Sequence, residues 1–457
     1  MTALDDPAIL TLRRLDLRVP DDATRRERDA LCRRGAVPDP GVRDAARAIL
    51  AHVRERGADA VRDAAARFGG GRSDGRLLIE RAELRSAVDE LTVTDRAALE
   101  TAIANVRRFA ETQRPGTTRT TIVDGVELER RWLPVRCAGV YAPGGSAPYP
   151  SSLVMGVVPA MVAGVDTIVV ASPADGDGNV HPVLLGAAGL LEVDAVLVAG
   201  GVQAIGALAY GLPTEGLAPM DLVVGPGSAW VTAAKVEIAG EVGIDLPAGP
   251  SEGLVLADAA ADARTVAADL VTQAEHGPDS PALLVTPDEA FADAVEAEVR
   301  RRLATASRRD ILATALTDHG RIVLVPTLDA GIDFVNDYGP EHLSIDVDAL
   351  EPTVDAIRNA GSIFVGRWSP ESAGDYASGA NHVLPTGGLA RACGPLAVET
   401  FGKFNQVQRI TRDGLATLRP AIRALAEAEG LLAHRDAVEA RFDEAYTPSP
   451  AAQEAAR

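Results

Sequence analysis

"CAGVYAPGGSAPYPSSLVMGVVPAMVAG", residues 137–164, decides the fold. A short run of β-forming residues ends in a Gly-rich turn, and an apolar run of helical length follows. "DTIVVASP" (166–173) starts the next unit at once. "DAVLVAGGVQAIGALAYG" (194–211) and "DLVVGPGSAWVTAAKVEIAG" (221–240) repeat the order of strand, Gly-rich turn and helix. That rhythm predicts a parallel sheet with helices on its faces. Crevices in such sheets lie at the carboxyl ends of the strands. Gly-rich turns there let backbone approach a phosphate closely. No turn carries the full dinucleotide fingerprint: Gly225-Pro226-Gly227 runs into Ser-Ala-Trp, and no acidic residue is clearly placed for a ribose.

The alternation resumes beyond residue 250, where "GLVLAD", "ALLVTP", "RIVLVP" and "GSIFVG" read as strands between longer helices. Before residue 136 the chain reads mainly as helices. "DPGVRDAARAILAHVRERGADAVRDAAARF" and "ELRSAVDELTVTDRAALETAIANVRRFAETQ" both show helical apolar spacing. The tail from 396 to 457 also reads as helices. The expected class is α/β, with two doubly wound, incomplete Rossmann-like parallel-sheet domains and small helical N- and C-terminal segments.

Bulk properties narrow the function. A chain of 457 residues, 47% hydrophobic, has room for more than one core. Its net charge of −20 argues against nucleic acid or an anionic membrane as partner, since both reward basic surfaces. No run approaches the roughly 18 apolar residues of a membrane span. The acidic start lacks the apolar core of a secretory signal. Cys32, Cys137 and Cys393 are too far apart for a disulfide framework or a Cys-based zinc site, and read as small buried hydrophobes. A reducing, cytoplasmic location is the expectation.

The chemistry collects between residues 273 and 434. In "QAEHGPDS" (273–280), Gln273 and His276 are three apart at the end of an amphipathic run that Gly277-Pro278 stops. Two side chains three apart share a helix face and can reach one object. A capping His at a helix end is the plainer alternative. Asp375 offers a carboxylate in a loop that Gly374 and Gly379 let bend, and His434 offers another imidazole. An N/O donor set suits zinc best, although manganese or cobalt could occupy it. Glu341-His342, in a loop after Gly-Pro, would put a carboxylate and an imidazole into a cleft for proton transfer. The plainer readings are a solvated charge for Glu341 and a loop hydrogen bond for His382.

Five segments, "AGPSE", "QAEHGPDS", "YGPEHLS", "ESAGDYASGANHVLPT" and "LAEAEGLLAH", together closely resemble the histidinol dehydrogenase family, in order from about residue 13 to 443. The resemblance implies NAD-linked oxidation of L-histidinol to L-histidine through a bound aldehyde. It implies one zinc per subunit on Gln273, His276, Asp375 and His434, and a catalytic pair at Glu341 and His342. Substrate contacts would fall on Ser251, Gln273, His276, His342, Asp375, His382, Glu429 and His434. Cofactor contacts would fall on Tyr141, Gln203 and Ser228. It also implies a homodimer with shared active sites. The expected division is an N-terminal segment 1–30, a first α/β domain of 31–140 with 250–395, a second of 141–249, and a helical dimerisation segment 396–457. The chain departs from the family at Ser228, where Asn is usual, at Gly253, where a larger apolar residue is usual, and at Leu389 and Gly394. A relative acting on another vicinal amino alcohol or diol, such as a dihydroxypropanesulfonate, is the competing implication.

Overall fold

The computed structural model describes residues 10–144 and 148–443. Its first strands are β1 (Arg13–Asp16), β2 (Leu78–Glu80), β3 (Thr118–Val123), β4 (Val126–Pro134) and β5 (Cys137–Tyr141). Then follow β6 (Thr167–Ser172), β7 (Ala195–Val198), β8 (Leu222–Val224), β9 (Gly243–Ile244) and β10 (Gly253–Ala257). The last are β11 (Ala282–Thr286), β12 (Arg321–Leu324), β13 (His342–Asp346), β14 (Ser362–Val365) and β15 (Gly402–Ile410). The chain divides into two compact units. Val135–Phe401, with the chain up to Gln113, forms one; Arg114–Pro134, with the chain from Gly402 on, forms the other.

The larger unit holds two open sheets. One runs β1-β12-β11-β10-β13-β14 and is parallel throughout. The other runs β2-β7-β6-β5-β8-β9, with β2 antiparallel at its edge. Strands β5, β10 and β11 are buried at every residue. Burial on both faces is what an unbroken apolar run means in a parallel sheet. Each sheet reverses its direction of growth once, between β10 and β13 in the first and between β5 and β8 in the second. The α/β class expected from the sequence is therefore the one found.

The expected division is not. Apart from Cys32 and Arg34, which pack against the first sheet, residues 31–140 mostly do not join it. Strand β2 pairs with β7 of the second sheet. Leu50, Val53, Ala60 and Val61 of the preceding helices share a core with Ile205 and Leu208. Helical spacing says which face is apolar, not which sheet it meets. Nor is 1–30 a separate segment, because β1 extends the first sheet beside β12. Arg114–Pro134 and the tail are not all helix either. β15, β4 and β3 form an antiparallel sheet in the smaller unit. All three cysteines are free, but Cys393 is exposed rather than buried. Among the described residues, no helix is long and apolar enough to cross a membrane.

A cavity of about 130 Å³ beside β10 and β13 is lined in part by Asp269, Ser344, Asp346 and Arg367. Burial, and then the neighbouring Asp346 charge, push the Asp269 carboxyl up to about 6. The folded chain thus holds this proton more tightly than the unfolded chain, whose aspartates titrate near ~3.9. Stability is favoured at low pH and falls as pH rises from about 4 to about 6. Asp269→Asn should raise Tm at pH 7.5 by about 1–3 °C and by less at pH 4. Equal Tm changes at the two pH values, read by scanning calorimetry, would contradict this.

Candidate active site

Glu341 and His342 stand at the amino end of the first sheet. The sequence suggests a loop after Gly-Pro; in the structure His342 is already the first residue of β13. Its partner in the ladder is Gly253, so Ser251 and Glu252 approach the same edge. Glu341 Oε2 accepts hydrogen bonds from the Ser251 hydroxyl at 2.8 Å and the Glu252 N–H at 2.9 Å. The His342 N–H donates to the Glu252 carbonyl at 3.2 Å. The buried Glu252 carboxylate is neutralised in turn by Arg34, whose guanidinium also stacks on Tyr338.

Around this edge gather four more side chains named from the sequence. The helix Ala263–Ala274 begins at an Asp262 cap and ends with Gln273 in its last turn. His276 lies just beyond the helix and not on it, with Nδ1 3.2 Å from the Gln273 carbonyl. Asp375 sits on the short helix Glu371–Tyr376, where the sequence suggests a loop. Its carboxylate lies 4.0 Å from His276 Nε2, from His342 Nε2 and from His382 Nδ1. His382 Nδ1 also lies 2.9 Å from the Asp375 carbonyl, and its Nε2 lies 3.3 Å from Ser152 Oγ on the helix Pro150–Ala163 of the second sheet. The rings of His276 and His342 stack at 6.0 Å and 12°.

Glu371 is the residue the sequence reading misses. It lies one helical turn before Asp375, which puts both carboxyls on one face. His276, Glu371 and Asp375 offer ligand atoms within 4.8 Å of one another. Glu371 Oε1 is 3.7 Å from His276 Nδ1. The available signal is the i, i+4 spacing of acids in "ESAGD".

The electrostatics follow from burial. Desolvation carries the carboxyls of Glu341 and Glu371 well above the carboxylate range. For Glu341 it outweighs the bonds from Glu252 and Ser251 that pull the other way. Burial raises Asp375 too, against the pull of His382 and His276. It drives His342 down to about 3, helped by the charges of His276 and His382. The imidazole of His342 is therefore neutral at physiological pH. Gln273 Oε1, Glu371 Oε1 and both ring nitrogens of His342 are buried without a hydrogen-bond partner. Such orphans are costly unless something polar completes them. A nitrogen-and-oxygen donor set around open polar atoms fits a divalent metal.

A second group of named residues gathers at the switch point of the other sheet, at its carboxyl end. Tyr141 closes β5, is buried, and accepts the Gly201 N–H at 3.2 Å. Gly201 opens the helix that carries buried Gln203. Gly225 follows β8 with φ +118°, and a β-carbon there would lie 2.1 Å from the Tyr141 carbonyl, so only glycine lets the turn come this close. Ser228 is exposed at the start of the helix Ala229–Ile238 and makes no side-chain cap. The Ser228 side chain thus leaves the first-turn N–H groups of that helix uncapped. The sequence points to the carboxyl ends of the strands, but the acid–base pair occupies the amino end of the first sheet. Glu429 and His434 belong to the smaller unit, where both are exposed.

Comparison with known proteins agrees with the motifs. The sequence model of the family described as histidinol dehydrogenase matches residues 32–442. The chain is 47% identical over 399 residues to a histidinol dehydrogenase of Leifsonia xyli, covering 87% of this chain and 91% of that one. It is 44% identical over 443 residues to the Mycobacterium tuberculosis protein of that name, covering 96% and 99%. Its fold matches the crystal structure of histidinol dehydrogenase from Elizabethkingia anophelis with a TM-score of 0.87, at 34% identity over 94% of this chain and 98% of that one.

Proposed function

The chain belongs to the histidinol dehydrogenase family, an oxidoreductase family, and we propose that it oxidises L-histidinol to L-histidine through bound L-histidinaldehyde, using zinc and two NAD. The observation that carries the mechanism is the buried Glu341-His342 pair, anchored by Ser251 and Glu252 and facing the carboxylate of Asp375.

Gln273, His276 and Asp375, with His434 of the partner subunit, would hold the zinc, which when bound supplies a positive centre to fix the substrate's amino and imidazole groups. NAD bound near Tyr141, Gln203 and Ser228 would supply the hydride acceptor. The rest falls to side chains. His342, neutral through burial, accepts the hydroxyl proton as the C–H hydride departs. Glu341, once ionised, accepts a proton from the water that hydrates the aldehyde, and Ser251 holds its carboxyl group in place. Ser251, His382 and the partner subunit's Glu429 complete the substrate contacts. Holding the aldehyde keeps it from solvent.

The dimer reading is supported by the apolar surface beside Glu429 and His434, where Leu425, Leu431 and Leu432 are exposed. A cytoplasmic location suits a chain whose cysteines are all free.

One assay tests the proposal: purified protein with zinc, NAD and a panel of L-histidinol and small diols, with NADH followed. Two NADH per L-histidinol and no free aldehyde are expected. Turnover of a diol with none of L-histidinol would replace this reading.

The Gln273 carbonyl holds His276 Nδ1, leaving Nε2 toward Asp375, and Glu371, 3.7 Å from Nδ1, would act on that imidazole through its charge. Carboxylates behind a ligating imidazole tune metal affinity by roughly 10–100-fold. Glu371→Gln should weaken zinc binding by about that factor, read by chelator competition, with Tm unchanged or higher. Unchanged zinc affinity would remove Glu371 from the site.

A further inference from the structure

Behind the second crevice lies an ion pair that the chemistry above does not use. Lys235, 2% exposed on the helix Ala229–Ile238, pairs with the fully buried carboxylate of Asp245, just after β9. Lys235 Nζ donates to the Gly225 carbonyl at 2.9 Å. Asp245 Oδ2 accepts the Gly225 N–H at 2.8 Å. One buried pair thus grips both polar groups of a single glycine, and that glycine is the one pressed against the Tyr141 carbonyl at the switch point.

A buried ion pair is an expensive way to stabilise a fold, since desolvation offsets most of its attraction and an apolar pair of equal volume often does as well. Its particular capacity is directional. A cation and an anion can hold a carbonyl and an N–H of one residue at once, whereas apolar side chains cannot. We infer that Lys235 and Asp245 are positioning residues for the dinucleotide. They fix the Gly225-Pro226-Gly227 turn, and with it the uncapped first turn of the helix Ala229–Ile238, where a pyrophosphate would be held. Neither touches the cofactor; both act through the Gly225 backbone. The inference rests on the reading that NAD occupies this crevice.

Lys235→Met and Asp245→Asn test it, with Glu237→Gln as a control on the same helix, where Glu237 pairs with Arg43 and Arg47. NAD affinity is read by titration of tryptophan fluorescence, since Trp230 lies two residues beyond Ser228 and is 44% exposed. Kinetics are followed alongside. In the folded variants, the NAD Kd and KM should rise about tenfold or more, as expected on losing a hydrogen bond to a charged group or the charge that strengthens it. The L-histidinol KM, the zinc content and kcat at saturating NAD should stay within a factor of about two. The control should move none of these. If Lys235→Met does not fold, Asp245→Asn decides alone, because it keeps an acceptor for the Gly225 N–H and loses only the charge. A purely structural pair would lower Tm and leave NAD affinity unchanged in the folded protein, and that result overturns the inference. So does a parallel loss of kcat and histidinol KM. A wild-type chain that turns over L-histidinol without binding NAD at this crevice overturns the cofactor reading instead.

Discussion

Asp375→Ala should remove the bound zinc and lower kcat/KM by about 10³-fold or more, because one ligand in about four is lost. The structure makes this the most damaging single change. The carboxylate faces His276, His342 and His382 at 4.0 Å each. The variant should still fold. His382 is held by the Asp375 backbone carbonyl, which alanine keeps. The missing carboxyl is one whose ionisation burial already opposes. Elemental analysis after dialysis against zinc should fall from about one ion per chain to near zero. Full activity under chelator in the wild type, or a variant that keeps its zinc, would end the metal reading. The same variant tests the shared site. His434→Ala should be inactive for the same reason. A co-refolded mixture of the two inactive chains should recover roughly a quarter of wild-type activity, since about half the dimers are mixed and each has one intact site of two. Demonstrated mixed dimers without activity would assign His434 to its own subunit.

Glu341→Gln should separate the two oxidations. Removing a general base costs about 10²–10⁴-fold in the step it serves. Only the hydration-dependent second step should suffer that loss, while the first, served by His342, stays within a few-fold. In a single turnover the NADH yield should fall from two toward one per L-histidinol, with aldehyde detectable. An amide oxygen can still accept from Ser251 and from the Glu252 N–H, so the edge of β13 keeps its shape. An unchanged second-step rate would show that Glu341 is not that base.

The two sheets were legible because parallel strands buried on both faces leave continuous apolar runs, as at 253–257 and 282–286. β13 was harder. "HLSID" begins with a histidine and mixes polarity, which disguised a central strand as a loop. The lobe that 40–113 joins was not legible, because an apolar stripe such as Ala46, Leu50 and Val53 fits any apolar surface. Nor was β15. "GKFNQVQRI" is largely exposed and lacks the apolar alternation of a half-buried strand. Within the candidate site, His276, His342 and Asp375 stand out in the sequence because Gly and Pro punctuate their segments. Glu371 does not, because a lone acid at the start of a helix is what dipole compensation ordinarily produces.

The ladder between β10 and β13 matches Gly253 with His342 and Leu254 with Leu343. It therefore acts as a ruler. Ser251 and Glu341 lie just before the paired residues, so their spacing is anchored to backbone pairing in the interior of a sheet. Amides in such central strands exchange only when the whole domain opens. The acid–base geometry should then be as durable as the fold itself, and heating would switch it off all at once rather than wear it away. The same ruler forbids small slips. A shift of one residue would turn His342 to the opposite face of the sheet. Evolution along this chain is thereby steered away from insertions and deletions in these two strands, and change in substrate preference is left to the segments that arrive at their edge.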